Sequence, residues 1–255
     1  MNEIIKSSST RIKTGIALIL GVLVIGYIDS FFIMWLLFGI LLVVSINESM
    51  KLYKMKSDSI YFYTGIIWFL AYFYPNPEDL VFLLALVYAS LIAYKKEIDR
   101  KLFLPLLYPT ASFLFLLALY SEYGVMSLLW LLVIVAGADI GAYFVGRSMG
   151  KTKFCETSPN KTIEGVIGGV VVATIFGLIF SLDNISTLGA IVISVVVAIA
   201  TVFGDLFESY LKRLANIKDS GNILPGHGGI LDRTDGYLFG GVLMLMILRA
   251  IIWLY

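Results

Sequence analysis

The sequence predicts an all-α, polytopic integral membrane protein with about nine transmembrane helices and a cytoplasmic N-terminus. Composition is the first observation behind this. Of the 255 residues, 59% are AVILMFWYC and 15% are charged, whereas soluble domains have roughly 45–50% apolar and about 25% charged residues. The mean hydropathy is +0.91. A soluble domain of this size could not bury so much apolar surface, so a soluble fold is excluded.

Nine apolar runs are the second observation, and they supply the candidate membrane spans. The first four runs have only 14 to 16 residues, fewer than the roughly 20 that cross a hydrocarbon layer of about 30 Å. We therefore expect their helices to extend into the flanking polar residues. Eight or ten spans are the alternatives. The runs are 15–28, 31–46, 60–73, 80–94, 102–120, 125–146, 162–180, 187–204 and 237–255.

The third observation is the alternation of basic residues between connections. Eighteen of the nineteen Lys and Arg residues lie in the N-terminal segment and in every second connection. The positive-inside rule places these segments in the cytoplasm. The remaining Arg249 is expected to reach the outer surface beside Trp253 and Tyr255. The basic connections are 47–59, 95–101, 147–161 and 205–236, and those without Lys or Arg are 29–30, 74–79, 121–124 and 181–186.

Charge balance and cysteine content exclude further classes of function. Nineteen Lys and Arg against eighteen Asp and Glu leave a net charge of +1, so the chain lacks the basicity of a nucleic-acid-binding protein. Cys155 is the single cysteine and His227 the single histidine. An internal disulfide and a zinc cluster of several Cys and His residues are therefore excluded.

We expect one structural unit with two functional regions, because no linker or internal repeat divides the chain. Residues 1–124 are rich in aromatic residues and Leu and are predicted to form a scaffold of about five transmembrane helices. Residues 125–255 contain most of the glycines and the two longest polar connections. They are predicted to form a catalytic region of about four helices with cytoplasmic loops.

The connection 205–236 carries residues typical of metal and phosphate chemistry. Its first part continues the eighth run as an amphipathic helix, and a glycine-rich stretch follows at 216–229. Glycine there permits positive φ and close approach of backbone N–H groups to a ligand. If the next stretch is helical, Asp232 and Asp235 share one face. Carboxylates hold Mg²⁺ and Lys or Arg neutralises phosphate charge. A loop of mixed surface charge is the alternative.

Two further features precede this connection. Asp139 lies inside the sixth run, where an ionisable group is either functional or paired for structural reasons. In the next loop, Lys161 could meet a phosphate. Ser158 could equally cap the seventh helix, with Pro159 at its first position. The glycines that follow are expected to let helices pack closely, with contact to a ligand as the alternative; they are Gly165, Gly168 and Gly169.

The segment 209–235 resembles the signature of phosphatidate cytidylyltransferases, also called CDP-diacylglycerol synthases. Residues 204–206, 139–151 and 158–165 also resemble this family, so the resemblance covers about half of the chain. The signature segment reads SYLKRLANIKDSGNILPGHGGILDRTD, and its matching elements are Ser209, Lys212-Arg213, Lys218-Asp219, Pro225, His227-Gly228-Gly229, Asp232-Arg233 and Asp235.

The resemblance implies a Mg²⁺-dependent enzyme of the bacterial inner membrane. It would convert CTP and phosphatidate to CDP-diacylglycerol and pyrophosphate, with the active site facing the cytoplasm. The metal ligands are expected to be Asp205, Asp232 and Asp235, with Asp219 as a weaker fourth. The expected catalytic residues are Lys212, Arg213, Lys218, His227 and Arg233, and the expected substrate-binding residues are Lys161, Ser209, Gly226, Gly228, Gly229 and Asp139.

Other functions stay open at this point. A related CTP-dependent membrane enzyme could use another lipid, as a CDP-archaeol synthase or a polyprenol kinase does. A transporter with Asp139 as its ion site is a remote alternative, because transport sites lie near the bilayer midplane, whereas the polar residues here gather at one surface. Acyl-chain preference and a homo-oligomeric state are not decided by the sequence.

Overall fold

A computed structural model describes residues 2–95 and 99–254, with side chains described from residue 13 to residue 251 within those ranges. Lys96 of the basic connection 95–101 and Tyr255 lie outside the described residues, as do the side chains of Trp253 and of Lys6 and Arg11 in the basic N-terminal segment. The regular secondary structure of the described part is all helical, with two isolated bridges and no β-strand. The predicted all-α fold is confirmed.

Nine α-helices are present in the described part, joined by short 3₁₀ and π segments at Pro77–Asp79, Arg100–Leu102 and Leu106–Ala111. The α-helices are α1 (Asn2–Ile28), α2 (Phe31–Leu52), α3 (Ser59–Ala71), α4 (Leu80–Tyr94), α5 (Phe103–Pro105), α6 (Ser112–Met149), α7 (Ile163–Ile179), α8 (Thr187–Ala215) and α9 (Leu231–Leu254).

Several helices are long and apolar enough to cross a membrane, so the chain is an integral membrane protein by length and composition. Each predicted apolar run falls on a helical segment, although the count of nine spans and the N-terminal orientation stay predictions. The five long segments are Phe31–Leu52, Pro77–Tyr94, Arg100–Met149, Thr187–Ala215 and Leu231–Ile251, and the shorter apolar ones are Lys13–Ile28, Ser59–Ala71 and Ile163–Ile179.

Only the first two runs extend into flanking polar residues as expected. α1 and α2 have 27 and 22 residues. α3 has 13 residues and ends at Ala71, before the run itself ends, so the expected extension is wrong there. α4 keeps the 15 residues of its run and gains only the 3₁₀ turn before it. The cause is Pro75 and Pro77, because proline disfavours helical conformation in the residue before it.

α6 carries two predicted runs and is interrupted between them. Gly124 has φ +71°, in the left-handed region that favours glycine. The hydroxyl of Ser127 donates to the carbonyl oxygens of Gly124, at 2.7 Å, and Leu119, at 3.1 Å. These bonds satisfy carbonyl groups that the interruption frees from the helix ladder. The predicted connection at 121–124 therefore corresponds to a real break in the helix.

The chain divides into two compact units. The first unit contains Met1–Leu117 and Leu214–Arg233, and the second contains Ala118–Arg213 and Thr234–Tyr255. The first unit therefore includes the segment Leu214–Arg233, which we had assigned from the sequence to the catalytic region. Each unit has an apolar core, with Leu42, Ile46, Ile60 and Phe113 in the first and Trp130, Ile134, Ile193 and Val197 in the second.

Glycines bring α6 and α7 of the second unit into close contact. A Cβ atom at Gly141 would collide with the backbone of Gly168 and Gly169, and one at Gly165 would press on Ala142 and Gly146. The prediction that the α7 glycines serve helix packing is confirmed. This packing places the end of α6 beside the start of α7, where the polar residues of the second unit are found.

Candidate functional site

The second unit contains a cavity of about 480 Å³ at the end of α6, the start of α7 and the middle of α8. Three residues predicted from separate parts of the sequence, Asp139, Lys161 and Asp205, all line it. The structure therefore brings together the intramembrane carboxylate, the loop lysine and the first predicted metal ligand. The remaining lining residues are Ala138, Ala142, Tyr143, Gly146, Arg147, Asn160, Thr162, Gly165, Val166, Thr201 and Val202.

Lys161 and Asp205 form an ion pair in this cavity. The Lys161 Nζ atom lies 2.6 Å from Oδ2 of Asp205, with side chains 23% and 39% exposed. Lys161 Nζ also lies 3.5 Å from the carbonyl oxygen of Val202, and the Ser209 hydroxyl donates to Oδ1 of Asp205 at 3.3 Å. A polyanionic ligand could replace Asp205 as the partner of Lys161, and a metal ion could replace Lys161 as the partner of Asp205. Both exchanges are open because neither side chain is fully buried.

The start of α7 keeps Lys161 in the loop. Thr162 caps the helix by accepting a hydrogen bond from the Gly165 N–H at 3.1 Å. The predicted cap at Ser158 with Pro159 at the first helical position is therefore wrong. The carbonyl of Ser158 instead accepts from the Lys161 N–H at 3.0 Å. This turn ends the loop before the helix starts, and Lys161 remains available to the cavity.

The loop is also fixed at its other side. The carboxylate of Glu164 accepts hydrogen bonds from the backbone N–H groups of Lys151 and Thr152 and from the Thr152 hydroxyl, at 2.9 to 3.2 Å. Lys153 and Thr162 form an isolated antiparallel bridge. Both ends of the loop are thus tied to the beginning of α7.

Asp235 is close to the other carboxylates of the second unit. Its charge is repelled by Asp205 and Asp139 and attracted by Lys212. The Asp235 carbonyl lies so close to Gly204 that a Cβ atom there would overlap with it. α8 and α9 therefore approach each other at this glycine, and the approach puts two predicted metal ligands within electrostatic range.

The cations of α8 are placed differently. Lys212 Nζ forms an ion pair with the buried carboxylate of Glu208, at 2.8 Å one turn earlier on the helix. Arg213 is exposed. Neither Lys212 nor Arg213 is among the described residues that line the cavity. Their predicted phosphate-binding roles stay predictions.

In the first unit, the residues 216–230 between α8 and α9, hereafter the signature loop, form a tight glycine turn. The Leu224 N–H donates to the Gly228 carbonyl at 3.0 Å, and the His227 N–H donates to the Leu224 carbonyl at 2.9 Å. Gly226 and Gly228 have φ of +77° and +87°. The expected use of glycine for positive φ is confirmed at these two positions.

Asp232 and Arg233 close the signature loop onto the first turn of α9. Oδ2 of Asp232 accepts from the Ser220 N–H and the Gly229 N–H, both at 2.8 Å, and lies 3.0 Å from the Ser220 hydroxyl. The Arg233 Nε–H donates to the His227 carbonyl at 2.9 Å. α9 begins at Leu231, so Asp232 and Asp235 both lie in a helix, which is the condition under which they were predicted to share one face.

The remaining predicted residues of the loop have looser surroundings. Lys218 and Asp219 are exposed. Nδ1 of His227 lies 3.4 Å from the carbonyl oxygen of Pro225, and the ring is partly exposed. Their predicted roles stay predictions.

Comparison with known proteins identifies the family. A model described as the cytidylyltransferase family matches residues 9–251. The chain belongs to the cytidylyltransferase family. Two relatives from Helicobacter pylori are named phosphatidate cytidylyltransferase. The protein of strain J99 is 40% identical over 257 residues, which cover 99% of this chain and 97% of the relative. That of strain 26695 is 41% identical over 245 residues, which cover 95% and 92%. A Bacillus subtilis protein of the same name is 48% identical over 123 residues, covering 47% of this chain and 46% of its own length.

Metal ligation in this cytidylyltransferase-family chain remains a prediction. Among the described residues, no group of three or more His, Cys, Asp or Glu side chains is arranged to hold a metal ion. Asp205 and Asp235 do lie within electrostatic range of each other, and carboxylate oxygens are the donors that Mg²⁺ prefers. Asp232 and Asp219 stay predicted ligands on the signature resemblance alone.

Two residues of this family member were missed from the sequence. Arg147 lies in the stretch 139–151 that resembles the family but was given no role of its own, yet it lines the cavity and donates from Nη1 to the Tyr143 hydroxyl at 2.9 Å. Glu48, in the region predicted as scaffold, is buried and accepts hydrogen bonds from the signature loop. A signal for Glu48 was present, because it is an ionisable residue two positions after the apolar run 31–46, and ionisable residues in membrane helices are functional candidates.

Proposed function

We propose that this chain is a phosphatidate cytidylyltransferase, which transfers a cytidylyl group from CTP to phosphatidate and releases pyrophosphate. The observation that carries the proposal is the Lys161–Asp205 pair at the cavity of a cytidylyltransferase-family member. A cation and a carboxylate at one opening suit a reaction between two phosphate-bearing substrates, because one neutralises phosphate charge and the other binds a cation.

Positioning and charge neutralisation are the main tasks in this reaction. The phosphate of phosphatidate is already an anion, so its oxygen can attack the α-phosphorus of CTP without a general base. Negative charge then grows on the departing pyrophosphate, and fixed cations stabilise it. In the second unit, Lys161 and Arg147 are the cations that line the cavity. In the first unit, Lys218 and Arg233 are the corresponding candidates on the signature loop and at the start of α9.

The carboxylates of the second unit fit a requirement for Mg²⁺. Asp205 faces the cavity, and Asp235 is held within its electrostatic range, so we expect both to contribute ligands. The ion would neutralise phosphate oxygens that the Lys and Arg side chains leave unpaired. Ser209 holds one oxygen of Asp205 by a hydrogen bond, which orients the carboxylate toward its partners.

The proposed location is the inner membrane of a bacterium, with the cavity open to the cytoplasm. CTP is a cytoplasmic nucleotide, and the loop that carries Lys161 belongs to the basic connections. Single cysteines at Ser121 and Asn184 should react with an impermeant thiol reagent added outside, and those at Lys54 and Asn222 should not. Cys155 is replaced first. Labelling from outside at position 222 would show that the orientation is the reverse of the one proposed.

Pyrophosphate release by the purified protein tests the function itself. We expect release from CTP to require both Mg²⁺ and phosphatidate, with CDP-diacylglycerol as the lipid product. An archaeol phosphate and a polyprenol are supplied in parallel as alternative acceptors, and CDP is measured for the polyprenol, because a kinase transfers the γ-phosphate of CTP and releases CDP in place of pyrophosphate. Faster turnover with either of these than with phosphatidate would contradict the proposed substrate, and no turnover of CTP with any lipid would contradict the proposed reaction.

A further inference from the structure

Glu48 connects α2 with the signature loop inside the first unit. Its side chain lies near the end of α2 and is 1% exposed. Oε1 accepts from the Ile230 N–H at 3.1 Å, and Oε2 accepts from the Leu231 N–H at 2.9 Å. The Ser220 hydroxyl lies 3.1 Å from Oε2. Glu48 therefore holds both ends of the segment 220–231, although it lies more than 170 residues away along the chain.

Two of these contacts satisfy the beginning of α9. The first N–H groups of a helix have no partner within the helix, and Leu231 is the first residue of α9. A carboxylate at this position forms charge-assisted hydrogen bonds and interacts favourably with the helix dipole. Glu48 thus acts as a cap supplied by a distant helix, and it fixes where α9 begins.

The backbone of the signature loop is also shaped to fit this carboxylate. A Cβ atom at Gly221 would overlap with the Glu48 carboxylate, and one at Gly229 would collide with Glu48 and with the Ser220 hydroxyl. The same hydroxyl lies 3.0 Å from Oδ2 of Asp232. Ser220 therefore sits between two carboxylates, one from α2 and one from α9. Changing Glu48 would release the contact that ties this arrangement to the membrane helices.

We propose that Glu48 is a positioning residue that fixes the signature loop for nucleotide binding. The inference rests on the proposed function, in which Lys218 of this loop and Arg233 after it are candidates for neutralising phosphate charge during the reaction of CTP. Glu48 does not touch the reacting atoms in this account, and it acts through Ser220 and the start of α9. A buried charge is costly unless it is paired or hydrogen-bonded, and here the hydrogen bonds come from the loop and from the first residue of α9.

Glu48→Gln tests the role because it keeps the volume of the side chain. The amide can accept at only one of its two terminal atoms, so at least one backbone N–H of Ile230 or Leu231 would face a donor. We expect the KM for CTP to rise about 10-fold, the scale of one charge-assisted hydrogen bond, while the KM for phosphatidate stays within about 2-fold. Ser49→Ala is the matched control, since Ser49 is buried beside Glu48 and donates to Ile46 of its own helix at 2.9 Å. Unchanged KM for CTP in Glu48→Gln, or an equal rise for both substrates, would overturn the proposal.

Hydrogen–deuterium exchange separates this inference from the proposed reaction. In Glu48→Gln, amide exchange in 220–233 should accelerate about 10-fold, while exchange in 151–165 should not change. Ser220→Ala removes the hydroxyl between Glu48 and Asp232 and leaves the bonds from Ile230 and Leu231 to the Glu48 carboxylate. It should accelerate exchange in the same segment less, and it replaces Glu48→Gln as the test if that variant does not fold. Unchanged exchange at 220–233 in both variants would refute the positioning role even if the protein uses CTP. Absence of phosphatidate-dependent turnover in the wild type would refute the proposed function and leave the exchange result to decide the structural part.

Discussion

Two ion pairs of the second unit have similar solvent exposure but lie in different surroundings. Lys161 and Asp205 are 23% and 39% exposed, and Arg249 and Glu122 are 38% and 27% exposed. Pairs with this exposure contribute about 0–1 kcal/mol to stability. The first pair lines the cavity beside Asp139 and Arg147. The second joins α9 to residue 122, next to the break of α6 at Gly124.

The surroundings, and not the strength of the pair, distinguish a functional from a structural role. Lys161 and Asp205 have neighbours that carry further charge and a cavity that can admit a ligand. Arg249 was expected to reach the outer surface beside Trp253 and Tyr255, and the structure gives it Glu122 as a partner. A stability measurement alone would treat the two pairs as equal, so the comparison has to be tested by activity.

The largest effect is expected for Asp205→Asn. Asparagine keeps the size of the side chain and can still accept from Ser209, but it removes the charge that pairs with Lys161 and would bind Mg²⁺. Turnover should fall by at least about 10²-fold, the scale of losing one electrostatic contact in the transition state. Phosphatidate-dependent pyrophosphate release measures it. Asp183→Asn, an exposed position in the α7–α8 connection, is the control, and Asp205→Asn with near-wild-type turnover would remove Asp205 from the site.

A smaller effect is expected for Lys161→Gln. The substitution removes one cation from the cavity and leaves Arg147 in place, so substrate affinity should suffer more than the chemical step. We expect the KM for CTP to rise about 10-fold, because one charge-assisted contact to phosphate is lost. Lys153→Gln, an exposed lysine of the same loop, should change KM little. Equal effects at both positions would mean that only the net charge of the loop matters.

The smallest effect is expected for Arg249→Gln. The ion pair with Glu122 is partly exposed, and its loss should lower the free energy of unfolding by no more than about 1 kcal/mol. Thermal unfolding in detergent measures this change, and turnover should remain near that of the wild type. A large loss of turnover with unchanged stability would contradict the structural role given to this pair.

The membrane helices were largely predictable from the sequence because hydropathy is a local property. Each apolar run coincides with a helical segment, and the break between the fifth and sixth runs appears at Gly124. The lengths of α3 and α4 were not predicted correctly, since the prolines at 75 and 77 limit both helices. The start of α7 was also misplaced, because Thr162 competes with Ser158 as a cap and three-dimensional contacts of the loop decide between them.

Several residues of the site could be predicted from the sequence, but their arrangement in space could not. Asp139, Lys161 and Asp205 were all selected from local patterns, and the structure shows that they line one cavity. Glu48 was missed because its partners are Ser220, Ile230 and Leu231. No periodicity or local motif reports a hydrogen bond over such a sequence separation. Only the position of Glu48 beside an apolar run hinted that its charge needed partners.

Exchanging the charges within each pair tests most directly whether the Lys161–Asp205 pair is part of the reaction site. The double variants Lys161→Asp with Asp205→Lys, and Arg249→Glu with Glu122→Arg, both preserve an attraction between opposite charges. Phosphatidate-dependent pyrophosphate release at saturating Mg²⁺ is measured for each. The account predicts near-wild-type turnover for the exchange at 122 and 249, and turnover reduced by at least about 10²-fold for the exchange at 161 and 205. Wild-type turnover after the exchange at 161 and 205 would show that this pair serves only the fold.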